Sequence, residues 1–357
     1  MKIGIFDPYL DTLGGGEKYM LTIAKYLSKT HDVSLFWDTD IEKIKDLAFD
    51  RFGLDLSSIR FVKNIFSPRV SVLERVQITM RHDRIIYLSD GSLPIVGKKN
   101  LIIHFQFPVE WVHTSLLTRL KFLQVKSIIC NSKFTKSFID KKFNVKSNVL
   151  YPPVDLPKEK VEKKENIILH VGRFGLSIEG TNFKKQDVMI EIFKKLIKEG
   201  MMGWRFVIFV SVRSQDREKI KDLRRKTDNF PIDIIENASN STLWEMYQKA
   251  KIYWHATGFG EDLLRHPERA EHFGIATAEA MGAGAVPVVI NAGGQPEIVE
   301  NGKSGFLWNT QDEWIEKTKQ IATDLKLWQQ MSHNAHQRAK VFNTEHFSKE
   351  VEQLISA

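Results

Sequence analysis

Short apolar strand signals alternate with amphipathic helix signals along this chain, stop once near its middle, and then begin again. Lys2–Phe6 is strand-like, and Glu17–Ser28 carries Tyr19, Met20, Ile23, Ala24 and Leu27 on one helical face. Val33–Trp37, Ile85–Leu88, Leu101–His104, Ser127–Cys130 and Asn148–Tyr151 are further strand candidates. Strands separated by helices need crossover connections, and crossovers make a parallel sheet.

The interruption is Tyr151-Pro-Pro-Val-Asp-Leu-Pro157 followed by the charged run Lys158–Glu165. Proline and charge without an apolar face are the composition of a linker. The alternation then resumes. Strands are expected at Asn166–Val171, Arg205–Val210, Ile232–Ile235, Ile252–His255 and Val286–Ile290. Helices are expected at 185–199, 215–226, 241–250, 275–283, 295–300 and within 311–355. The expected architecture is therefore α/β, with two doubly wound, Rossmann-like parallel-sheet domains. The first spans 1–152, a linker 153–166 and the second 167–340, while a C-terminal helix over 341–357 packs back on the first domain. Ligands of open α/β sheets bind beyond the carboxyl ends of the strands, so two such domains would face one another across a cleft.

The length of 357 residues suits two cores of ordinary size. Cys130 is the single cysteine, which excludes an internal disulfide and any multi-cysteine metal site; in its apolar run it reads as a core thiol. No apolar run reaches the roughly eighteen residues of a spanning helix, and the start at a strand signal suggests no signal peptide. A cytoplasmic protein is expected. The net charge of +8 is unevenly placed. Residues 115–148 hold Arg119, Lys121, Lys126, Lys133, Lys136, Lys141, Lys142 and Lys146 against Asp140 alone. Residues 69–84 set arginines beside Val70, Val72, Leu73, Val76, Ile78 and Met80. Such surface suits peripheral contact with an anionic membrane or an anionic substrate; the plainer alternative is a solvated face. No recognised nucleic-acid motif is present and no aromatic platform is interleaved with the basic residues, so nucleic acid is not expected as a partner.

The segment richest in chemistry is Glu271-His272-Phe273-Gly274-Ile275-Ala-Thr-Ala-Glu279. A Phe-Gly turn opens a helix whose first N–H groups are unpaired and carry partial positive charge. The two carboxylates would lie about 12 Å apart at helical pitch, roughly the reach of a nucleotide sugar. One could hold the sugar and the other the ribose, with a diphosphate on the N–H groups between them.

Other residues point to the same ligand. Gly14-Gly15-Gly16 follows the first strand and allows close backbone approach before a helix. Arg173 ends the strand that opens the second domain, and Lys184-Lys185-Gln-Asp begins the next helix. Two cations there would neutralise a diphosphate leaving group in place of a metal; either lysine could supply the second. His104, at the end of an apolar strand, could reach a sugar hydroxyl. Asp38-Thr-Asp40 matches a metal-binding pattern only superficially, and no metal or other cofactor is expected.

Together these elements resemble the retaining glycosyltransferases of family 4, glycosyltransferase group 1, which have the two-domain GT-B architecture. The resemblance rests on Glu271-x7-Glu279 with Phe273-Gly274-Ile275, on Gly172-Arg173 with Lys184, on Gly14–Gly16, and on Tyr151-Pro-Pro-Val-Asp. Gly293-Gly294-Gln-Pro-Glu-Ile-Val and Asn301-Gly302-x-x-Gly305-Phe-Leu add to it. It implies transfer of a sugar, with anomeric retention and no metal, from a nucleotide-diphosphate sugar to a hydroxyl on a glycan or lipid-linked glycan. It also implies roles: Arg173 and Lys184 (or Lys185) on the diphosphate, Phe273, Gly274 and Ile275 near it through backbone, Glu279 on ribose and Glu271, beside His272, on the transferred sugar. The glycine loop and His104 complete the site. The alternatives are another GT-B enzyme, such as a sugar-nucleotide epimerase, or a non-catalytic nucleotide-sugar-binding protein. Two departures stand out: a charged insert at 256–270, and a long gap between Arg173 and Lys184.

Overall fold

The computed structural model describes residues 1–157, 163–175, 182–213 and 216–356. The chain divides into two compact units, Met1–Pro153 with Thr344–Ala357, and Val154–Asn343.

In the first unit, the described strands are β1 (Lys2–Phe6), β2 (Asp32–Phe36), β3 (Arg60–Val62), β4 (Arg84–Leu88), β5 (Leu101–Phe105), β6 (Val125–Cys130) and β7 (Asn148–Val149). They form one sheet in the order β3-β2-β1-β4-β5-β6-β7, parallel throughout. The register pairs Ile3 with Val33 and with Arg84, and Ile86 with Ile102. β5 is buried along its whole length because helices cover both faces, which is why it reads as an unbroken apolar run. The helix Gly15–Leu27 seats Tyr19, Met20, Ile23, Ala24 and Leu27 in the core. The last helix, Thr344–Ser356, adds Phe347, Val351 and Ile355 to that same core; Phe347 meets the Tyr19 ring edge-on at 5.1 Å.

In the second unit, β8 (Glu165–Arg173), β9 (Arg205–Ser211), β10 (Ile232–Glu236), β11 (Ala250–His255), β12 (Val286–Ile290) and β13 (Phe306–Trp308) form a parallel sheet in the order β10-β9-β8-β11-β12-β13. Helix Gln186–Lys198 buries Met189, Ile190, Ile192, Phe193 and Leu196 against it. On the same core Trp308 stacks on Trp314 at 4.3 Å, and Trp254 donates its indole N–H to Thr318 Oγ1 at 3.2 Å.

The segment read as a linker, 153–166, lies partly outside the described residues. Its described ends belong to the second unit. Val154 is buried and bridges Asn343, Leu156 packs on Gly282, and Lys164 donates to the carbonyls of Tyr247 and Ala283. Glu165 already begins β8.

Candidate functional site

The carboxyl ends of β8 and β11 and the entry to helix Ile275–Gly282 bring the acidic motif to the cations. Lys184 Nζ lies 2.7 Å from Glu271 Oε2, and His255 Nε2, at the end of β11, lies 3.1 Å from the same oxygen. Burial by itself would raise the Glu271 carboxyl; Lys184 and His255 instead hold it well below the usual carboxylate range. His255 is fully enclosed and its pKa is lowered, chiefly by burial, so it stays neutral at physiological pH. Beneath it His170 fixes one ring nitrogen on the Trp254 carbonyl at 3.0 Å, and Gln186 bridges from the His170 side to the Arg173 carbonyl at 3.1 Å. Burial brings His170 down to about 3 and His272 to about 4, so both rings are neutral.

The helix after this cluster starts without a side-chain cap, at Gly274 with φ 115°. Glycine is demanded twice there: an L side chain rarely adopts that φ, and a Cβ would stand 2.6 Å from Gln295 Nε2. Further along, Glu279 accepts a hydrogen bond from the buried Tyr247 hydroxyl at 3.1 Å. Gly293 and Gly294 press onto the backbone of residues 271–273, and Gly294 donates its N–H to the Glu271 carbonyl at 2.7 Å.

The two adjacent lysines part company. Lys185 adopts φ 57°, as the residue capping helix Gln186–Lys198, and its ammonium lies 2.6 Å from Glu261 Oε1 inside the 256–270 insert. Each lysine thus meets its own acid, Lys185 at Glu261 and Lys184 at Glu271. The Arg173 side chain is exposed at the end of β8 and has no acidic partner among the described residues.

His104 lies buried in the first unit. Its ring has no exposed surface, stacks on Tyr19 at 4.4 Å and sets Nδ1 3.3 Å from Met20 Sδ. Burial lowers it to about 3. It is a buried, neutral ring whose Nε2 has no hydrogen-bond partner among the described residues. The neighbouring Gln106 donates from Nε2 to the Gly16 carbonyl at 3.0 Å, and its Oε1 leaves no room for a Cβ on Gly16. In the same loop Glu17 accepts the Gly14 N–H at 2.5 Å. Asp7, at the end of β1, is buried with Oδ2 unpartnered among the described residues; burial first, and then Glu17, raise it to about 8.

Asp38 accepts the Asn64 N–H, and Asp40 opens helix Ile41–Phe52 in a left-handed conformation. Among the described residues no group of three His, Cys, Asp or Glu could hold a metal ion. No helix among them is long and apolar enough to cross a membrane.

His255, Glu261, Tyr247 and Gln295, which the structure sets around the acidic motif and the two lysines, were not singled out by the sequence. The one sequence signal for His255 was its place at a strand's carboxyl end, and the signal for Glu261 was the charge of the insert.

A GDP-Man:Man(3)GlcNAc(2)-PP-Dol alpha-1,2-mannosyltransferase of Dictyostelium discoideum is 25% identical over 248 residues, covering 63% of this chain and 46% of the relative. The Alpha-1,3/1,6-mannosyltransferase ALG2 of Saccharomyces cerevisiae is 25% identical over 228 residues, covering 56% and 45%. The chain spans about half the length of these curated relatives. Among solved structures, Anabaena Alr3699/HepE in complex with UDP and glucose superposes with a TM-score of 0.70 at 18% identity, covering 100% of this chain and 99% of that one; the likeness shows a shared GT-B fold. Residues 154–338, just over half of the chain, match the family Glycosyl transferases group 1. With the acidic motif, the facing lysine and the uncapped helix all inside that span, the chain belongs to the group 1 glycosyltransferases.

Proposed function

We propose that the chain is a retaining, metal-independent glycosyltransferase that moves a sugar from a nucleotide-diphosphate donor to a hydroxyl of a glycan or lipid-linked glycan. The observation that carries this reading is the Lys184–Glu271 pair set at the entry to the uncapped helix Ile275–Gly282. In it, a cation, a set of free N–H groups and a carboxylate sit within a few residues of one another. Arg173, Lys184 and those N–H groups take the charge of the departing diphosphate. Glu271 holds the sugar hydroxyls, and Glu279, steadied by Tyr247, holds the ribose. The bond from the anomeric carbon to the diphosphate oxygen breaks, the acceptor oxygen bonds to that carbon on the same face, and the acceptor proton passes to the departing phosphate. The side chains hold charge and geometry; none acts as nucleophile.

The relatives make GDP-mannose the first donor to test and a diphosphate-linked lipid glycan the first acceptor. A lipid-borne acceptor agrees with the surface of the first unit. Leu73 and Leu123 are 69% and 70% exposed, and Met80 and Leu120 are exposed too, close to exposed Lys98, Lys99 and Arg119. The Val96 N–H, which donates to the Gln124 side-chain Oε1, and the packing of Gly97 on Met80 bring these residues into one region. Apolar side chains ringed by cations suit the surface of an anionic bilayer, and the reading places the protein peripherally at the cytoplasmic face.

A thermal-shift screen with GDP, UDP, dTDP and ADP identifies the nucleotide by the rise in melting temperature it causes. NMR of the product formed from the matching sugar nucleotide, without added metal, then tests the chemistry. Transfer with the donor's anomeric configuration is expected. An inverted product or a strict need for a divalent ion overturns the mechanism. Conversion without an acceptor indicates an epimerase, and binding without turnover a binding protein.

A further inference from the structure

The insert at 256–270 leaves β11 through two turns that glycine permits, Gly258 at φ 97° and Gly260 at φ 73°. Asp262 then closes a local turn on the N–H groups of Leu264 and Arg265. Between these turns stands Glu261, with a side chain only 8% exposed. Its Oε1 lies 2.6 Å from Lys185 Nζ, itself 9% exposed, and its Oε2 lies 2.9 Å from Arg269 Nη1. One buried carboxylate therefore compensates a cation from the start of helix Gln186–Lys198 and a cation from the far end of its own loop. Lys185 is also one of the few non-glycine residues at positive φ among the described residues, a strained conformation that persists where its surroundings enforce it. That conformation sends the side chains of Lys184 and Lys185 to different acids, Glu271 and Glu261.

We propose that Glu261 is a positioning residue for the donor site: by taking up Lys185 it sets the 182–185 turn so that Lys184 alone offers its ammonium to the diphosphate. The insert is then a brace for the phosphate site rather than a surface decoration. The inference rests on the reading of Lys184 given above. The physical reason is the cost of a buried, uncompensated ammonium: once Glu261 loses its charge, Lys185, 9% exposed, has lost the carboxylate that holds it and must shift. The turn moves with Lys185, and Lys184 moves with the turn.

The test uses the full chain with GDP, or with UDP if that is the nucleotide that raises the melting temperature. Glu261→Gln is expected to weaken nucleoside diphosphate binding by calorimetry about tenfold or more, and to lower kcat/KM for the donor by at least the same factor. Binding of the free nucleoside, which carries no phosphate, should not change. The double variant Glu261→Gln/Lys185→Met removes the buried ammonium together with the carboxylate, leaves only the more exposed Arg269 to solvent, and is expected to recover diphosphate binding to within about threefold of the parent. If Glu261→Gln does not fold, the double variant carries the test alone. Wild-type diphosphate affinity in Glu261→Gln overturns the proposal. So does a double variant that folds and binds more weakly than the parent by tenfold, since Lys185 would then be a phosphate ligand itself. Lys184→Ala separates the two levels: full diphosphate affinity there removes the reading of the site, whereas lost affinity beside an unaffected Glu261→Gln removes only the brace.

Discussion

Lys184 Nζ and Glu271 Oε2 stand 2.7 Å apart, each side chain 22% exposed, on segments 87 residues apart in the chain. The pair is enclosed enough for its charges to matter and open enough for a ligand to replace one partner by another. A diphosphate arriving at the helix entry would draw the ammonium from the carboxylate and free the latter for sugar hydroxyls.

Lys184→Ala is therefore expected to lower transfer by about a hundredfold or more, the scale seen when one charge-stabilising group is removed from a preorganised site. Glu271→Gln should do the same while keeping the shape of the side chain. Initial rates of sugar transfer check both, with circular dichroism to show that the fold is kept. Full activity in both variants would remove them from the site.

Gly274→Ala should damage fold and site together. A methyl group there meets Gln295 Nε2 at 2.6 Å on a backbone at φ 115°. A strained non-glycine residue of this kind costs about 1–3 kcal/mol, and the helix N-terminus it displaces is the proposed phosphate seat. Urea unfolding should show the loss of stability, and nucleotide titration a parallel loss of affinity.

Asp7→Asn should stabilise the protein, increasingly so as pH rises. Burial, with Glu17 next, raises the Asp7 carboxyl from 3.8 to about 8. The folded state thus holds a proton that the unfolded chain has lost over this interval. Its contribution is fully present below pH 3.8 and declines by at most about 1.4 kcal/mol per pH unit until the folded pKa is passed. Asparagine cannot ionise, so the melting-temperature difference between variant and parent should be small at pH 5 and larger at pH 8. An equal difference at both values would contradict a protonated Asp7.

Cys130 should be inert in the native state. It is buried, and burial pushes its thiol up to about 12, despite a hydrogen bond to Ser147. A disulfide reagent at pH 8 should label it only after denaturant is added, because the thiolate is the reactive form.

Much of the fold was legible because its causes are local and repetitive. Five-residue apolar runs such as Leu101–Phe105 are apolar on both faces because helices cover both sides of a parallel sheet, and the helix over Gly15–Leu27 shows its buried face in its own spacing. Shorter or more polar elements left weaker traces: β3 spans three residues, and helix Leu116–Phe122 seven.

The acidic motif was legible for the same reason. Glu271, Gly274 and Glu279 belong to one turn and one helix, so their relation is fixed by chain geometry over nine residues. What lay beyond that reach was decided by packing. Nothing local distinguishes Lys184 from its neighbour; the φ of Lys185 and the arrival of Glu261 from 76 residues away assign their partners. Nothing local says which side of β5 His104 occupies, since successive strand residues point to opposite faces and the choice falls to the register that sets it against Tyr19. The amino-acid sequence by itself determined the two parallel sheets and the acid-flanked helix entry, because periodicity and short spacing are properties of neighbouring residues. The tertiary structure alone decided which charges meet there, because ion pairs form between side chains that only folding brings within a few ångströms.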